Sequence, residues 1–118
     1  MLASDLAAMA ADAKRVVAAG ADYLHLDIMD GCFVPNISWG PPVVKCLRAH
    51  TTALLDCHLM VVNPSKWVQC VKDAGGDQFT FHLEAARKAG EDVPALCKAI
   101  RVLGMKVGIA IKPDTPVA

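Results

Sequence analysis

The chain is organised around an apolar run at residues 23–29 in which polar side chains recur at every second position. His25 and Asp27 are the two residues that interrupt the run. Because successive side chains of a β-strand point to opposite faces, this alternation predicts a buried strand over residues 23–28. Tyr23, His25, Asp27 and Met29 then share one face of the strand, and Leu24, Leu26 and Ile28 share the other.

Glycine and proline residues divide the rest of the chain into further helices and strands. A stripe of apolar side chains with a 3.6-residue period predicts a first helix over residues 3–19, with Ser4 as its N-cap and Gly20 after its end. The other predicted helices run from Pro42 to about residue 50, from Pro64 to the glycines at 75–76, and from Glu91 or Asp92 to Leu103. The other predicted strands lie at residues 54–62, 78–83 and 106–111.

A unit of helix, glycine, short link and strand recurs about every 25 to 30 residues. Such serial units predict an α/β fold with a parallel sheet, and the nearly continuous apolar strands indicate that both faces are covered. A doubly wound sheet and a (β/α)8 barrel both fit. No glycine-rich nucleotide-binding motif follows a strand, and polar residues at the carboxyl ends of the strands favour the barrel. A full barrel takes about 250 residues, so four strands and four helices form roughly half of one.

Charge and hydropathy argue against two classes of binding partner for this chain, namely nucleic acids and membranes. Of the 118 residues, 54% are apolar, the mean hydropathy is +0.36, and 12 basic residues balance 12 acidic ones. A net charge of zero argues against nucleic acid or an anionic membrane as the main partner. No apolar run approaches the roughly 20 residues of a membrane span. Asp5 and Asp12 interrupt the start of the chain and no basic region precedes it, so we expect no signal peptide.

The cysteine count is odd, and no two cysteines form a C-x-x-C pair. This usage predicts reduced thiols in an intracellular protein, most of them packed in the core. The five residues are Cys32, Cys46, Cys57, Cys70 and Cys97.

A loop is predicted from Gly31 to Pro42, and it is unusually apolar for a connection. Its turn-forming residues alternate with apolar side chains such as Phe33 and Trp39. Two interpretations stay open. The loop is either a flap over a site or a connection packed on its own domain.

His25, Asp27 and His58 offer three groups of the kind that bind metals. Side chains two apart on one strand project the same way, and a neighbouring parallel strand brings His58 beside them. Two histidines and a carboxylate suit Zn²⁺ or Fe²⁺ with positions left open for substrate. The alternative interpretation is two core histidines that bond to the backbone, with Asp27 capping a loop.

Two methionines follow the polar residues at the ends of these strands. Met29 and Met60 come two residues after Asp27 and His58. They are either core residues that fill gaps or a soft apolar wall beside the metal. A third strand end carries His82 and Glu84, for which we expect structural or supporting roles.

Together these motifs resemble the ribulose-phosphate 3-epimerase family. The first motif is Tyr-Leu-His-Leu-Asp-Ile-Met-Asp-Gly at residues 23–31, with Phe-Val-Pro-Asn at residues 33–36. Cys-His-Leu-Met-Val at residues 57–61, Phe-His-Leu-Glu at residues 81–84 and Gly-Ile-Ala-Ile-Lys-Pro at residues 108–113 also match. Residues 2–6 resemble the segment that follows the family's first strand.

The resemblance implies a (β/α)8 barrel that interconverts D-ribulose 5-phosphate and D-xylulose 5-phosphate at C3. It implies one divalent ion, Zn²⁺ or Fe²⁺ with Mn²⁺ or Co²⁺ as alternatives, and a 2,3-enediolate that this ion stabilises. His25, Asp27 and His58 match the metal ligands, and Asp27 also matches one of two acid/base carboxylates. His58 matches a position that contacts substrate, and Met29 and Met60 match residues that line the reacting carbons. A cytoplasmic enzyme of the pentose phosphate pathway, dimeric in full-length members, is implied as well.

Two parts of the family pattern have no match in this sequence. The family's first strand, with a serine that binds substrate, would precede Leu2. The fourth metal ligand, which is also the second acid/base aspartate, and the glycine-rich phosphate loops would follow Pro113. We therefore expect residues 1–118 to form a partial barrel domain that lacks strand 1 and the C-terminal half. A catalytically inactive fragment that acts only by association, and a related hexulose-6-phosphate 3-epimerase, remain alternatives.

Overall fold

A computed structural model describes residues 1–117 and contains one sheet of four parallel strands. The strands pair in chain order, β1-β2-β3-β4, which confirms the predicted parallel α/β arrangement. Each prediction agrees with the structure to within two residues at either end. The strands are β1 Tyr23–Met29, β2 Leu54–Met60, β3 Gln78–His82 and β4 Lys106–Ala110.

Five α-helices and two 3-10 turns connect the strands in the described part of the chain, where four helices were predicted. The fifth is the six-residue helix after β3, which begins at Leu83, a residue predicted to end the strand. The α-helices are α1 Met9–Ala18, α2 Pro41–Arg48, α3 Val68–Asp73, α4 Leu83–Lys88 and α5 Val93–Val102, and the 3-10 turns are Leu6–Ala8 and Pro64–Trp67.

The prediction of Ser4 as the first N-cap is wrong. The carboxylate of Asp5 accepts a hydrogen bond from the Ala7 amide and caps the 3-10 turn that precedes α1. The hydroxyl of Ser4 instead donates to the carbonyl of Met1 at 2.5 Å. At the last helix, Asp92 caps α5 by accepting from the Ala95 amide, as the sequence predicts.

Only one face of the sheet is covered by helices. On that face Leu26, Leu59 and Phe81 are at most 1% exposed and form the centre of the core. The opposite face carries Tyr23 and His25, which are exposed. Within the described residues, the sheet therefore lacks the cover that was expected on this face. The described structure therefore has an open face, and that face is the one with the polar side chains.

The open face is concave. The ammonium group of Lys106 on β4 lies 3.2 Å from the hydroxyl of Tyr23 on β1. Four flat strands would separate the outer two by about 14 Å at a spacing near 4.8 Å. The contact between side chains of the two outer strands indicates that the sheet curls toward this face, as in part of a TIM barrel.

Arg48 ties α2 to the amino-terminal ends of β2 and β3. Its guanidinium donates to the carboxylate of Asp77 at 2.8 Å and to the carbonyl of Ala53 at 2.8 Å. The same oxygen of Asp77 accepts from the Leu55 amide at 2.9 Å. Gly75 has a φ of +93°, and a Cβ there would lie 2.6 Å from Cγ of Arg48, so glycine is required for conformation and for space.

Glu84, in the first turn of α4, fixes the segment that follows β4. Its Oε1 accepts hydrogen bonds from the Lys112 amide at 2.6 Å and from the hydroxyl of Thr115. Burial favours the protonated acid, but these hydrogen bonds favour the carboxylate more strongly and lower the pKa of Glu84 to about 2. The anion therefore holds two elements together at neutral pH.

The five thiols are all free, and two of them are buried. Cys57 and Cys97 lie in the core, Cys70 is partly buried, and Cys32 and Cys46 are exposed. The expectation that most would be core residues is therefore wrong. Burial raises the pKa of the Cys57 thiol to about 12, so it is an unreactive packing residue. Within residues 1–117, no helix combines the length and apolar character that a bilayer crossing needs.

Replacing Phe81 by alanine should lower the free energy of unfolding by about 3–5 kcal/mol, because a fully buried ring leaves a cavity. Ile109, which pairs with Phe81 on the edge strand and is 50% exposed, is the control. Ile109→Ala should cost much less. Urea denaturation of the three proteins measures both changes, and equal losses would contradict this assignment of the core.

Acid should destabilise the protein partly through Glu84. Because the folded pKa is about 2 and the ordinary value is 4.5, its contribution is complete above pH 4.5 and is lost as the pH falls toward 2. Glu84→Gln should lower stability at pH 7 and flatten the decline between pH 4.5 and 2. Urea titrations across this range test it, and an unchanged slope in the variant would refute the proposed contribution of the anion.

Candidate metal centre

Three side chains predicted as metal ligands lie together on the concave face of β1 and β2, with Asp27 and His58 in the carboxyl-terminal halves of their strands and His25 near the middle of β1. The parallel register pairs Asp27 with His58, and His25 precedes Asp27 by two residues on the same face. The three ligand atoms form a small triangle. His25 Nε2 is 3.2 Å from His58 Nδ1 and 3.3 Å from Asp27 Oδ1, and His58 Nδ1 is 3.5 Å from Asp27 Oδ1.

The size of this triangle fits one tetrahedral ion. Ligand atoms about 2.0–2.1 Å from Zn²⁺ lie about 3.3–3.4 Å from one another when the geometry is tetrahedral. The three distances bracket that spacing. His25, Asp27 and His58 could therefore hold a divalent ion on one side and leave a coordination position open toward the concave face.

Hydrogen bonding orients the imidazole of His25 for such a role. Its Nδ1 lies 2.7 Å from Oδ2 of Asp56 on β2. An ionised carboxylate is only an acceptor, so Nδ1 carries the hydrogen and Nε2 presents its lone pair to the triangle. Metal-binding histidines commonly have this arrangement.

His58 is held from the other side by His82 on β3. The Nε2 atoms of the two rings are 2.9 Å apart, and the rings stack with their centroids 5.0 Å apart. Burial, followed by the neighbouring His82 and His25, lowers the pKa of His58, which favours the neutral ring. Burial also lowers the pKa of His82. A neutral His58 that uses Nε2 toward His82 leaves Nδ1 as the atom facing Asp27.

The start of the loop after β1 is held by hydrogen bonds to Asp30, as expected for a loop packed on its own domain, and its interpretation as a flap over a site stays a prediction. Oδ1 of Asp30 accepts hydrogen bonds from the Cys32 and Phe33 amides at 2.8 Å, and Oδ2 accepts from the Val62 amide at 2.9 Å. These donors outweigh the effect of burial and lower the pKa of Asp30. The ring of Phe33 lies 4.9 Å from that of His82 and bounds one side of the centre.

The two methionines lie next to each other beside the ligands. Met29 pairs with Met60 in the β1–β2 ladder, two residues after the pair of Asp27 and His58 and on the same face. Met60 is 9% exposed, and Met29 is partly buried. The sulfur of Met29 contacts the amide nitrogen of Asn36 at 3.6 Å. Their expected role beside the reacting carbons stays a prediction.

The sequence interpretation gave no role to three polar residues of β2 and β3 that lie next to the metal ligands. Asp56, Gln78 and Thr80 form a connected group on the concave face. The alternation of polar and apolar residues places Asp56 on the same face as His58. Only the register of β2 against β1, however, shows that Asp56 lies opposite His25.

Comparisons with known proteins agree with this structure. A family model described as "Ribulose-phosphate 3 epimerase family" matches residues 1–118. The chain is 51% identical over 117 residues to the ribulose-phosphate 3-epimerase, cytoplasmic isoform, of Oryza sativa subsp. japonica, covering 99% of this chain and 50% of the relative. It is 45% identical over 116 residues to the ribulose-phosphate 3-epimerase of Mycobacterium tuberculosis (strain ATCC 25618 / H37Rv), covering 98% and 48%.

The ribulose-phosphate 3-epimerase of Schizosaccharomyces pombe is 43% identical over 120 residues, covering 99% of this chain and 51% of the relative. The chain therefore spans about half the length of the curated relatives it matches. The match to the family model extends over all of its residues. The chain belongs to the ribulose-phosphate 3-epimerase family.

Proposed function

We propose that the chain carries the metal-dependent half of a site that interconverts D-ribulose 5-phosphate and D-xylulose 5-phosphate at C3. The observation that carries this proposal is the triangle of His25, Asp27 and His58 ligand atoms, in which Asp27 and His58 lie toward the carboxyl ends of β1 and β2. This is the end at which barrel enzymes build their active sites. The names of the relatives supply the substrate class.

His25, Asp27 and His58 would hold one divalent ion, with Zn²⁺ or Fe²⁺ the best match to two nitrogens and one carboxylate oxygen. A bound ion supplies Lewis-acid stabilisation of the negative charge that develops on the substrate oxygens as the 2,3-enediolate forms. The protein contributes the fixed orientation of the three ligands. His25 presents the lone pair of Nε2 because its Nδ1 donates to Asp56. His58 presents that of Nδ1 when its Nε2 is the donor in the contact with His82.

Asp27 is the candidate base for the C3 proton. Its contacts with both histidines are made through Oδ1, so Oδ2 is the oxygen that can accept the proton. The carboxylate is 19% exposed and faces the concave side of the sheet. When Asp27 takes the proton, the electron pair of the C3–H bond moves into the 2,3-enediolate. Met29 and Met60 would line the reacting carbons and limit access of water.

Epimerisation also requires an acid that returns a proton to the opposite face of C3. Glu84 does not suit this task, because its pKa of about 2 leaves it ionised at neutral pH. Asp56 accepts hydrogen bonds from His25, Thr80 and Gln78 and is fully engaged. We propose that the acid is supplied by a group outside the cluster described here.

The remaining expectations follow from the same proposal. The substrate is a sugar phosphate of the pentose phosphate pathway, and the full-length enzyme is a cytoplasmic dimer. One relative is itself named as a cytoplasmic isoform. The partial barrel of residues 1–118 is the domain that carries the metal ligands.

The chain should bind one Zn²⁺ per molecule, and His58→Ala should weaken binding at least about 100-fold because it removes one of three ligands. His50→Ala is the matched control, since His50 is exposed and lies outside the triangle. Isothermal titration calorimetry measures stoichiometry and affinity. Equal affinity in the two variants would contradict the assignment of His58.

Replacing Asp27 by asparagine should greatly slow exchange of the C3 proton of ribulose 5-phosphate with solvent. Removal and return of a proton on one face needs one base only, so NMR of the substrate in D₂O follows the step that Asp27 performs. The wild-type chain with bound metal should incorporate deuterium at C3. Asp27→Asn should reduce that rate by about 10²–10⁴-fold, the usual contribution of a general base.

Asp73→Asn serves as the control, because Asp73 is exposed and its carboxylate accepts a hydrogen bond from Gln69, away from the metal ligands. Metal content is measured in each sample, so that loss of the base is distinguished from loss of the ion. Appearance of xylulose 5-phosphate would show that an opposite-face acid is also present. A folded, metal-loaded wild-type chain without exchange, or an Asp27→Asn variant that exchanges normally, would refute the proposal.

A further inference from the structure

We propose that Asp56 is a positioning residue, which fixes His25 in the tautomer that can bind a metal, and that β3 and β4 are adapted to hold Asp56 in place. The inference deepens the metal centre proposed above and rests on it. Asp56 contributes no atom to the metal triangle. It acts on the centre through His25.

The contact between Asp56 and His25 determines which nitrogen faces the triangle. Asp56 Oδ2 lies 2.7 Å from His25 Nδ1, and the Asp56 side chain is 14% exposed. This carboxylate accepts the Nδ1 hydrogen, so Nε2 keeps its lone pair. That lone pair lies 3.2 Å from His58 Nδ1 and 3.3 Å from Asp27 Oδ1. In the other tautomer, Nε2 would carry a hydrogen and could not bind a metal.

The second oxygen of Asp56 is held by two donors on β3. Oδ1 accepts from the hydroxyl of Thr80 at 2.8 Å and from the side-chain amide of Gln78 at 3.0 Å. The same Gln78 nitrogen lies 3.3 Å from the Thr80 hydroxyl oxygen. With both oxygens bonded in different directions, the carboxylate cannot rotate away from His25 without losing a partner.

β4 leaves room for this arrangement through a glycine. Gly108 pairs with Thr80, and a Cβ at Gly108 would lie 2.1 Å from Oγ1 and 2.9 Å from Cβ of Thr80. The glycine is therefore required for space, because the Thr80 side chain occupies the volume that a Cβ would need. Side-chain hydrogen bonds and strand pairing thus connect His25, Asp56, Thr80 and Gly108, one residue on each strand.

A purely structural role for Asp56 would satisfy the same hydrogen bonds, so the experiment must report on His25 itself. Nitrogen-15 NMR of labelled histidine distinguishes the two neutral tautomers, and at about pH 8.5 unperturbed imidazoles are neutral. In the metal-free wild-type chain His25 should be the Nδ1–H tautomer. In Asp56→Ala it should shift toward Nε2–H, the form that free histidine favours. Asp56→Asn, which keeps an acceptor oxygen and the shape, should shift it less.

Affinity for Zn²⁺ is the second measurement. Loss of a carboxylate that orients a metal-binding histidine should weaken binding about 10- to 100-fold. Asp77→Ala is the matched control, since Asp77 bonds with Arg48 at the opposite ends of the strands. It should reduce stability and leave the affinity unchanged. Gly108→Ala, which displaces Thr80, should change the tautomer and the affinity in the same direction as Asp56→Ala.

A His25 tautomer that is unchanged in Asp56→Ala would overturn the inference, as would equal Zn²⁺ affinities in Asp56→Ala and Asp77→Ala. The tautomer readout needs no metal. If the wild-type chain bound no Zn²⁺, the metal centre would fail while the spectra still decided whether Asp56 controls His25. Asp56→Asn provides the same comparison if the alanine variant does not fold.

Discussion

The register of β1 against β2 is the constraint on which the site depends. Pairing Asp27 with His58 brings a carboxylate and an imidazole side by side, and places His25 opposite Asp56 two residues earlier. A slip of one residue would move every side chain of one strand to the other face. Leu26 would then leave the core if β1 slipped, or Leu59 if β2 slipped, and each is at most 1% exposed. The burial of the apolar face therefore enforces the geometry of the polar face.

The positions of the strands along the chain were predictable, because they follow from the alternation of polar and apolar residues and from the glycines after helices. Every predicted strand exists, and the proximity of His25, Asp27 and His58 was predictable from alternation along β1 and a parallel neighbouring strand. The role of Asp56 was not predictable, because it depends on which residue of β2 lies opposite His25. The closeness of Gly108 to Thr80 depends in the same way on pairing, since a glycine within a strand has several explanations.

The wrong predictions share a physical cause, which is that local sequence does not determine the contacts that a residue makes in the folded chain. Ser4 is a common N-cap residue, but the carboxylate of Asp5 takes that role. Leu83 reads as the end of a strand, yet the chain turns into α4 there and Glu84 reaches the segment after β4. Apolar strands suggested a sheet covered on both sides. The polar residues that line the concave face are instead those that serve the proposed site.

Three carboxylates on or near the concave face have different roles because different hydrogen-bond donors surround them. Glu84 is surrounded by donors that keep it ionised and fixed, so it can only be structural. Asp56 has both oxygens engaged and can transmit its orientation to His25. Asp27 meets the histidines through one oxygen only, which leaves the other for a proton. Residue type alone therefore does not explain the chemistry proposed for Asp27. Donors engage both oxygens of Asp56 and fix Glu84, whereas Oδ2 of Asp27 stays available for a proton.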